Sequence, residues 1–72
     1  MLHPDYTLDI TRDTCPMTFV RARLQLDRMA SGQILALRFR GEEPRRNLPR
    51  TLAEQGHEVL EAGEELILVR KG

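Results

Sequence analysis

The sequence predicts an α/β two-layer sandwich of order β-α-β-α-β-β, with a mixed four-stranded sheet and two helices on one face. Three observations point there. Two stretches of helical period each follow a short stretch in which apolar and polar residues alternate. Residues 57–70 read as two strands around a glycine turn, the pattern of an antiparallel hairpin. A chain of 72 residues holds a single domain, 1–72, whose one small core requires both helices to cover the same sheet face.

The elements follow in order. Residues 1–5 read as a short tail. Tyr6-Thr7-Leu8-Asp9-Ile10 has the period of a half-buried strand. Thr11 to Thr14 is polar and reads as a loop. Cys15-Pro16 then opens a helix, with Cys15 at the N-cap and Pro at the first helical position, where its missing N–H costs nothing. Over Met17 to Ala30, Phe19, Ala22, Leu26, Met29 and Ala30 fall on one side, and Thr18, Arg21, Gln25 and Arg28 on the other. Val20 and Leu24 widen the apolar side. Ser31-Gly32 stops this helix. Gln33 to Arg40 is a second strand, with Leu35, Leu37 and Phe39 on one face and Arg38 and Arg40 on the other. Gly41-Glu42-Glu43-Pro44 reads as a loop, and a second helix is expected from about Asn47 through Gln55, with Pro49 in its first turn and Gly56 after its end. His57 to Glu61 is the third strand, Ala62-Gly63-Glu64 the turn, and Glu65 to Arg70 the fourth strand. Leu26, Leu37 and Leu68 are expected between sheet and helices.

Composition narrows the function. Eleven basic residues balance eleven acidic ones, whereas nucleic-acid binders draw most of their affinity from a positive excess. With only Tyr6, Phe19 and Phe39 as aromatics, direct nucleic-acid binding is disfavoured. No apolar run approaches the roughly 20 residues needed to span a bilayer. No basic-then-apolar leader opens the sequence, and a single Cys fits a reducing cytoplasm. A domain this small has no room for a deep, enclosed pocket. It suits a chain that offers one reactive group to larger partners.

That group is the thiol of Cys15. Free N–H groups and the dipole at a helix start favour negative charge, so a thiolate placed there has its pKa drawn below the usual value of about 8.5. The same holds for a persulfide anion. Pro16 fixes the backbone just after the thiol. A lone Cys is otherwise often a small buried hydrophobe, and on local features alone the two readings stand even. With no second Cys and no ligand spacing around His3 or His57, no metal site is expected. A Cys15–His57 dyad is conceivable, although a His at a strand start is more often a capping or surface residue.

Cys15-Pro16 at the head of the first helix also carries a resemblance. The sequence resembles the TusA/SirA/YedF family of small bacterial sulfur carriers from Leu8 to Val69. Leu8-Asp9, Cys15-Pro16, Gly32, Glu42-Glu43-Pro44, Leu48-Pro49 and Gly56-His57 match the family's landmarks in order. The chain departs from the pattern in three places. Thr18 stands where the Cys-Pro-x-Pro motif has its second Pro. Thr11-Arg12 replaces an Arg-Gly, and the second Cys that some relatives carry in the second helix is absent. A branch of the family has a Cys-Pro-Met-Thr-Phe-Val stretch like Cys15 to Val20.

The resemblance implies a sulfur relay. A sulfur donor, such as a cysteine desulfurase or another sulfurtransferase, loads Cys15 as a persulfide, and an acceptor protein takes the sulfur on. No cofactor is implied beyond the cysteine-bound sulfur itself. Pro16, Thr18 and Arg12 are the candidate supports of the site, Thr18 through a hydroxyl that could bond a free N–H or the persulfide. Met17 and Arg21 are candidates for partner docking. The competing reading is a redox-sensitive or regulatory interaction module without sulfur transfer. Sulfur uptake and release at Cys15 separates the two.

Overall fold

The computed structural model describes residues 3–13 and 17–72. Strands β1 (Tyr6–Asp9), β2 (Ile34–Arg38), β3 (Glu58–Ala62) and β4 (Leu66–Arg70) and helices α1 (Met17–Asp27) and α2 (Glu42–Glu54) follow one another as β1-α1-β2-α2-β3-β4. The four strands form one sheet in the order β1-β2-β4-β3. β1 pairs parallel to β2, and β4 pairs antiparallel to both β2 and β3. This is the mixed sheet expected from the sequence.

Register decides which side chains meet. Leu35 lies opposite Val69 and Leu37 opposite Ile67, so these four share a face, and all are fully buried. Ala22 and Leu26 of α1 and Leu48 and Leu52 of α2 join the same core cluster, with Ile10 and Phe39. Both helices therefore cover one face. Each does so through residues four apart, Thr18, Ala22 and Leu26 in α1 and Pro44, Leu48 and Leu52 in α2, the spacing of a single helix face. Leu68, expected in this core, is instead half-buried on the opposite face, where it pairs with Ala36 and Glu61.

Both helices depart from their expected limits. α1 ends at Asp27 rather than Ala30. Arg28 N–H bonds Gln25 O (3.2 Å) and Met29 N–H bonds Leu26 O (3.0 Å), and these three-residue spacings tighten the last turn out of α geometry. Ala30 to Gln33 then closes a turn of its own, in which the Gln33 side chain accepts the Ala30 N–H at 2.8 Å. α2 starts at Glu42, so Gly41-Glu42-Glu43-Pro44 is its cap and first turn, not a loop. Acids and Pro suit a first turn, because the N–H groups there are free and the dipole end is positive. Gly41 takes the N-cap at φ 107°, without a side-chain cap bond. Pro49 consequently lies inside the helix. At the other end Gly56 N–H bonds Ala53 O and His57 N–H bonds Leu52 O, both at 3.1 Å. With Gly56 at φ 91° this is a Schellman ending, which only Gly adopts without strain.

The strands differ from expectation by a residue or two at their ends. β3 includes Ala62, and the turn is closed by a Gly63 N–H to Leu66 O bond of 2.8 Å. Asp5, which the sequence places in the tail, donates its N–H to Ile34 O and accepts the Ile34 N–H.

Candidate functional site

Cys15 and Pro16, with the N-cap role expected for Cys15, lie outside the described residues. The residues that flank them in sequence are described. Asp13 stands two residues before Cys15 and Met17 two after it, at the start of α1. The first turn of α1 carries no acid, so none of the helix's own side chains there offsets its positive end.

One ion pair joins the two flanks. Arg21 Nη1 lies 2.8 Å from Asp13 Oδ2. Arg21, expected at a docking surface, thus ties the second turn of α1 to the chain ahead of Cys15. Partly exposed pairs of this kind add little to stability, up to about 1 kcal/mol, but this one spans the cysteine-bearing segment.

Ahead of it, Asp9 Oδ1 accepts the N–H (2.9 Å) and the hydroxyl (2.6 Å) of Thr11, an Asx turn that bends the chain out of β1. The Thr11 hydroxyl, then its N–H, with Arg38 and Arg12 adding to them against desolvation, hold the Asp9 carboxyl below the usual carboxylate range. Arg12 is exposed and lines an open groove with Arg38 and Arg40. The latter two were legible only as outer-face residues of the second strand. The parallel pairing of Asp9 with Arg38 brings them beside Arg12. Period two and a parallel first connection together were the signal for this cluster.

Thr18 differs from expectation. It faces the sheet at 1% exposure, and among the described residues its Oγ1 has no hydrogen-bond partner. Thr18, Ala22 and Leu26 share one side of the helix, and α1 turns this side inward. Val20 and Leu24, expected to widen the buried side, are 43% and 54% exposed, and Met17 is 48% exposed. Phe19 is half-buried and packs on the core. A buried hydroxyl without a partner costs about 1–3 kcal/mol. Thr18→Val, which keeps the shape, is therefore expected to stabilise the fold by about 1 kcal/mol, a rise in Tm of roughly 4–8 °C. A fall of that size would mean that the hydroxyl is hydrogen-bonded in solution.

His57 lies elsewhere. Its Nδ1 accepts the Gly72 N–H at 3.1 Å, and it shares a groove with Arg23, Asp27 and Lys71. That is the C-terminal end of α1, about 15 Å from Met17 at the helical rise of about 1.5 Å per residue. The described geometry does not bring His57 toward the cysteine-bearing segment. Burial, then the nearby Lys71 charge, lower the His57 pKa from its ordinary 6.5, while Asp27 opposes them. The folded state thus prefers neutral His57, which alone can accept at Nδ1. Its contribution to stability is complete above the unfolded value and is lost as pH falls below about 6.5. Tm is expected to drop between pH 7.5 and 5.5, and His57→Gln to flatten that slope. Asp9 titrates below this window. A wild-type Tm that does not change across it would rule the contact out as a pH-sensitive one.

Among the described residues, no helix is long and apolar enough to cross a membrane. Comparison with known proteins adds identity to this geometry. The chain is 43% identical over 53 residues to a protein of Archaeoglobus fulgidus described as "Putative sulfur carrier protein", a match covering 74% of this chain and 60% of that protein. It is 34% identical over 58 residues to a Thermotoga maritima protein of the same description, covering 81% of this chain and 73% of the other. The chain thus spans less than two thirds of the archaeal relative's length. A family described as "Sulfurtransferase TusA" matches residues 6–71, nearly the whole length including both helices, and the chain belongs to that TusA sulfurtransferase family.

Proposed function

We propose that this chain carries sulfur as a persulfide on Cys15, taking it from a protein donor and passing it to an acceptor protein. The family match over residues 6–71 carries the reading, and the two relatives described as sulfur carriers agree with it. Cys15 is the only Cys, so it is the only side chain able to form the persulfide. The step is redox-neutral. The Cys15 thiolate attacks the outer sulfur of the donor's persulfide, a new S–S bond forms at Cys15, the donor's S–S bond breaks, and the donor leaves as a thiolate. The outer sulfur keeps its proton, and transfer to the acceptor repeats the exchange.

The surroundings support this chemistry. The acid-free first turn of α1 favours an anion ahead of it. Arg12 adds positive charge on the β1 side, and Pro16 restricts the backbone next to the thiol. Met17, half-exposed at the start of α1, offers an apolar contact to a partner. A thiol that must stay free for exchange fits a reducing compartment such as the cytoplasm.

Intact-mass measurement tests the proposal. After incubation with a cysteine desulfurase and cysteine, the protein is expected to gain the mass of one sulfur atom and to lose it on reduction. If desulfurases and other sulfurtransferases all leave the mass unchanged, the carrier reading fails and the redox-module alternative takes its place.

A further inference from the structure

Both helices cover one face of the sheet, and no element among the described residues covers the other. The register that turns Leu35, Leu37, Ile67 and Val69 to the helices turns Ile34, Ala36, Leu66 and Leu68 to this open face, with Ala36 opposite Leu68. None of these four belongs to the core cluster. Leu66 is 41% exposed, and Ile34 and Leu68 are half-buried. The solvated face of such a sheet is ordinarily polar. A contiguous apolar centre there marks an interaction surface.

Charge selects the occupant. On the β1–β2 half, Arg12, Arg38 and Arg40 outnumber Asp5 and Asp9. On the β4–β3 half, Glu58 and Glu61 outnumber Arg70. Arg70 is held by Glu58 at 3.2 Å, and Glu61 has no ion pair among the described residues. A partner of one charge sign would meet like charge on half of the face, which is unfavourable. A second copy does not. A twofold axis along the strands lays the basic half of one copy over the acidic half of the other, so the face complements itself. The same axis sets Ala36 of each copy against Leu68 of the other, a dip against a projection. Arg38 then lies over the other copy's Leu66, where its aliphatic stem covers apolar surface. Nucleic acid fits poorly. The chain's three aromatics lie elsewhere, Tyr6 beside Leu35 on the helix side, Phe39 in the core and Phe19 on α1. No base can stack on this face, and its acidic half repels phosphate.

We infer that the open sheet face pairs two copies of the chain back to back in a weak twofold dimer. The inference is independent of what Cys15 carries. Four strands about 4.8 Å apart and some five residues long, at about 3.4 Å each, make a face of roughly 300 Å² in projection. Standard interfaces bury about 800 Å² per partner, so the pairing depends on concentration and is not obligate. The helices point outward, and the exposed Met17 at the start of α1 stays on the outer layer of each copy.

Sedimentation velocity tests the pairing. The wild type is expected to pass from the mass of one chain to that of two between about 10 μM and 1 mM. Leu66→Glu, which sets a carboxylate in the apolar centre, should stay monomeric throughout. Arg38→Glu and Glu61→Arg should each weaken pairing about tenfold or more. An equimolar mixture of those two variants should dimerise again, because each then offers the other the opposite sign on both halves. That recovery also shows that both variants are folded. Arg50→Glu on α2 should leave pairing unchanged. A wild type still monomeric at the highest concentration overturns the inference, and so does a mixture that does not recover. A dimer that survives Leu66→Glu and is lost with Leu24→Glu uses α1 instead, and the inference is wrong. It is equally wrong if the protein stays monomeric and the Leu66 and Leu68 amide resonances shift on addition of single-stranded RNA.

Discussion

Phe39→Ala is expected to leave little native protein at room temperature. The Phe39 ring is fully buried and is the largest side chain of the core. Its backbone N–H bonds Glu65 O at 3.0 Å, fixing the strand end from which the ring enters the cluster with Ile10, Leu37, Leu48 and Ile67. Truncation removes the transfer free energy of the ring and leaves a cavity that a two-layer domain can close only in part, a cost of about 3–5 kcal/mol. A domain this small is stable by on the order of 5 kcal/mol, so most or all of that is lost. Tyr6→Ala is the matched control. Its ring is 42% exposed on edge strand β1, and its removal should cost about 1 kcal/mol. Urea melts of the two variants give the comparison. A Phe39→Ala midpoint close to that of Tyr6→Ala would mean that the core is placed wrongly.

What made Phe39 legible in the sequence also explains what was not. Leu35, Leu37 and Phe39 alternate with Ala36, Arg38 and Arg40, so period two alone assigns the faces of β2. Leu66-Ile67-Leu68-Val69 has no period. Only pairing with β2 and β3 sends Leu68 outward, and pairing is a property of the whole sheet. Glu42-Glu43-Pro44 is equally good as a turn and as the first turn of a helix. Pro49, read as a first-turn residue, pushed the expected start of α2 five residues too late. In α1 the apolar residues occupy both faces, so composition could not set the helix phase. The packed fold, which buries Thr18, Ala22 and Leu26, did. For the candidate site, Cys-Pro and the ordered landmarks were visible because each is local. Arg12 beside Arg38 and Arg40, and the exposed ridge of Met17, Val20 and Leu24, depend on strand order and helix phase, which arise only from tertiary packing.

Cys15→Ser is expected to show the opposite of Phe39→Ala: complete loss of function with the fold retained. The variant has no thiol anywhere, since Cys15 is the chain's single Cys. A serine hydroxyl is barely ionised at neutral pH and forms no stable bond to sulfane sulfur, so no other group can take over the transfer. Loading from a cysteine desulfurase should fall below detection rather than slow by some factor. Stability should change by less than about 1 kcal/mol, because Ser nearly matches Cys in size and is itself a favoured residue ahead of a helix. That corresponds to a Tm within roughly 8 °C of wild type. Intact mass after desulfurase treatment and a thermal melt of the same sample give both numbers. Sulfur uptake that survives the substitution would remove Cys15 from the site. A melt as damaged as that of Phe39→Ala would make Cys15 part of the core, and its reactive role would fall with that result.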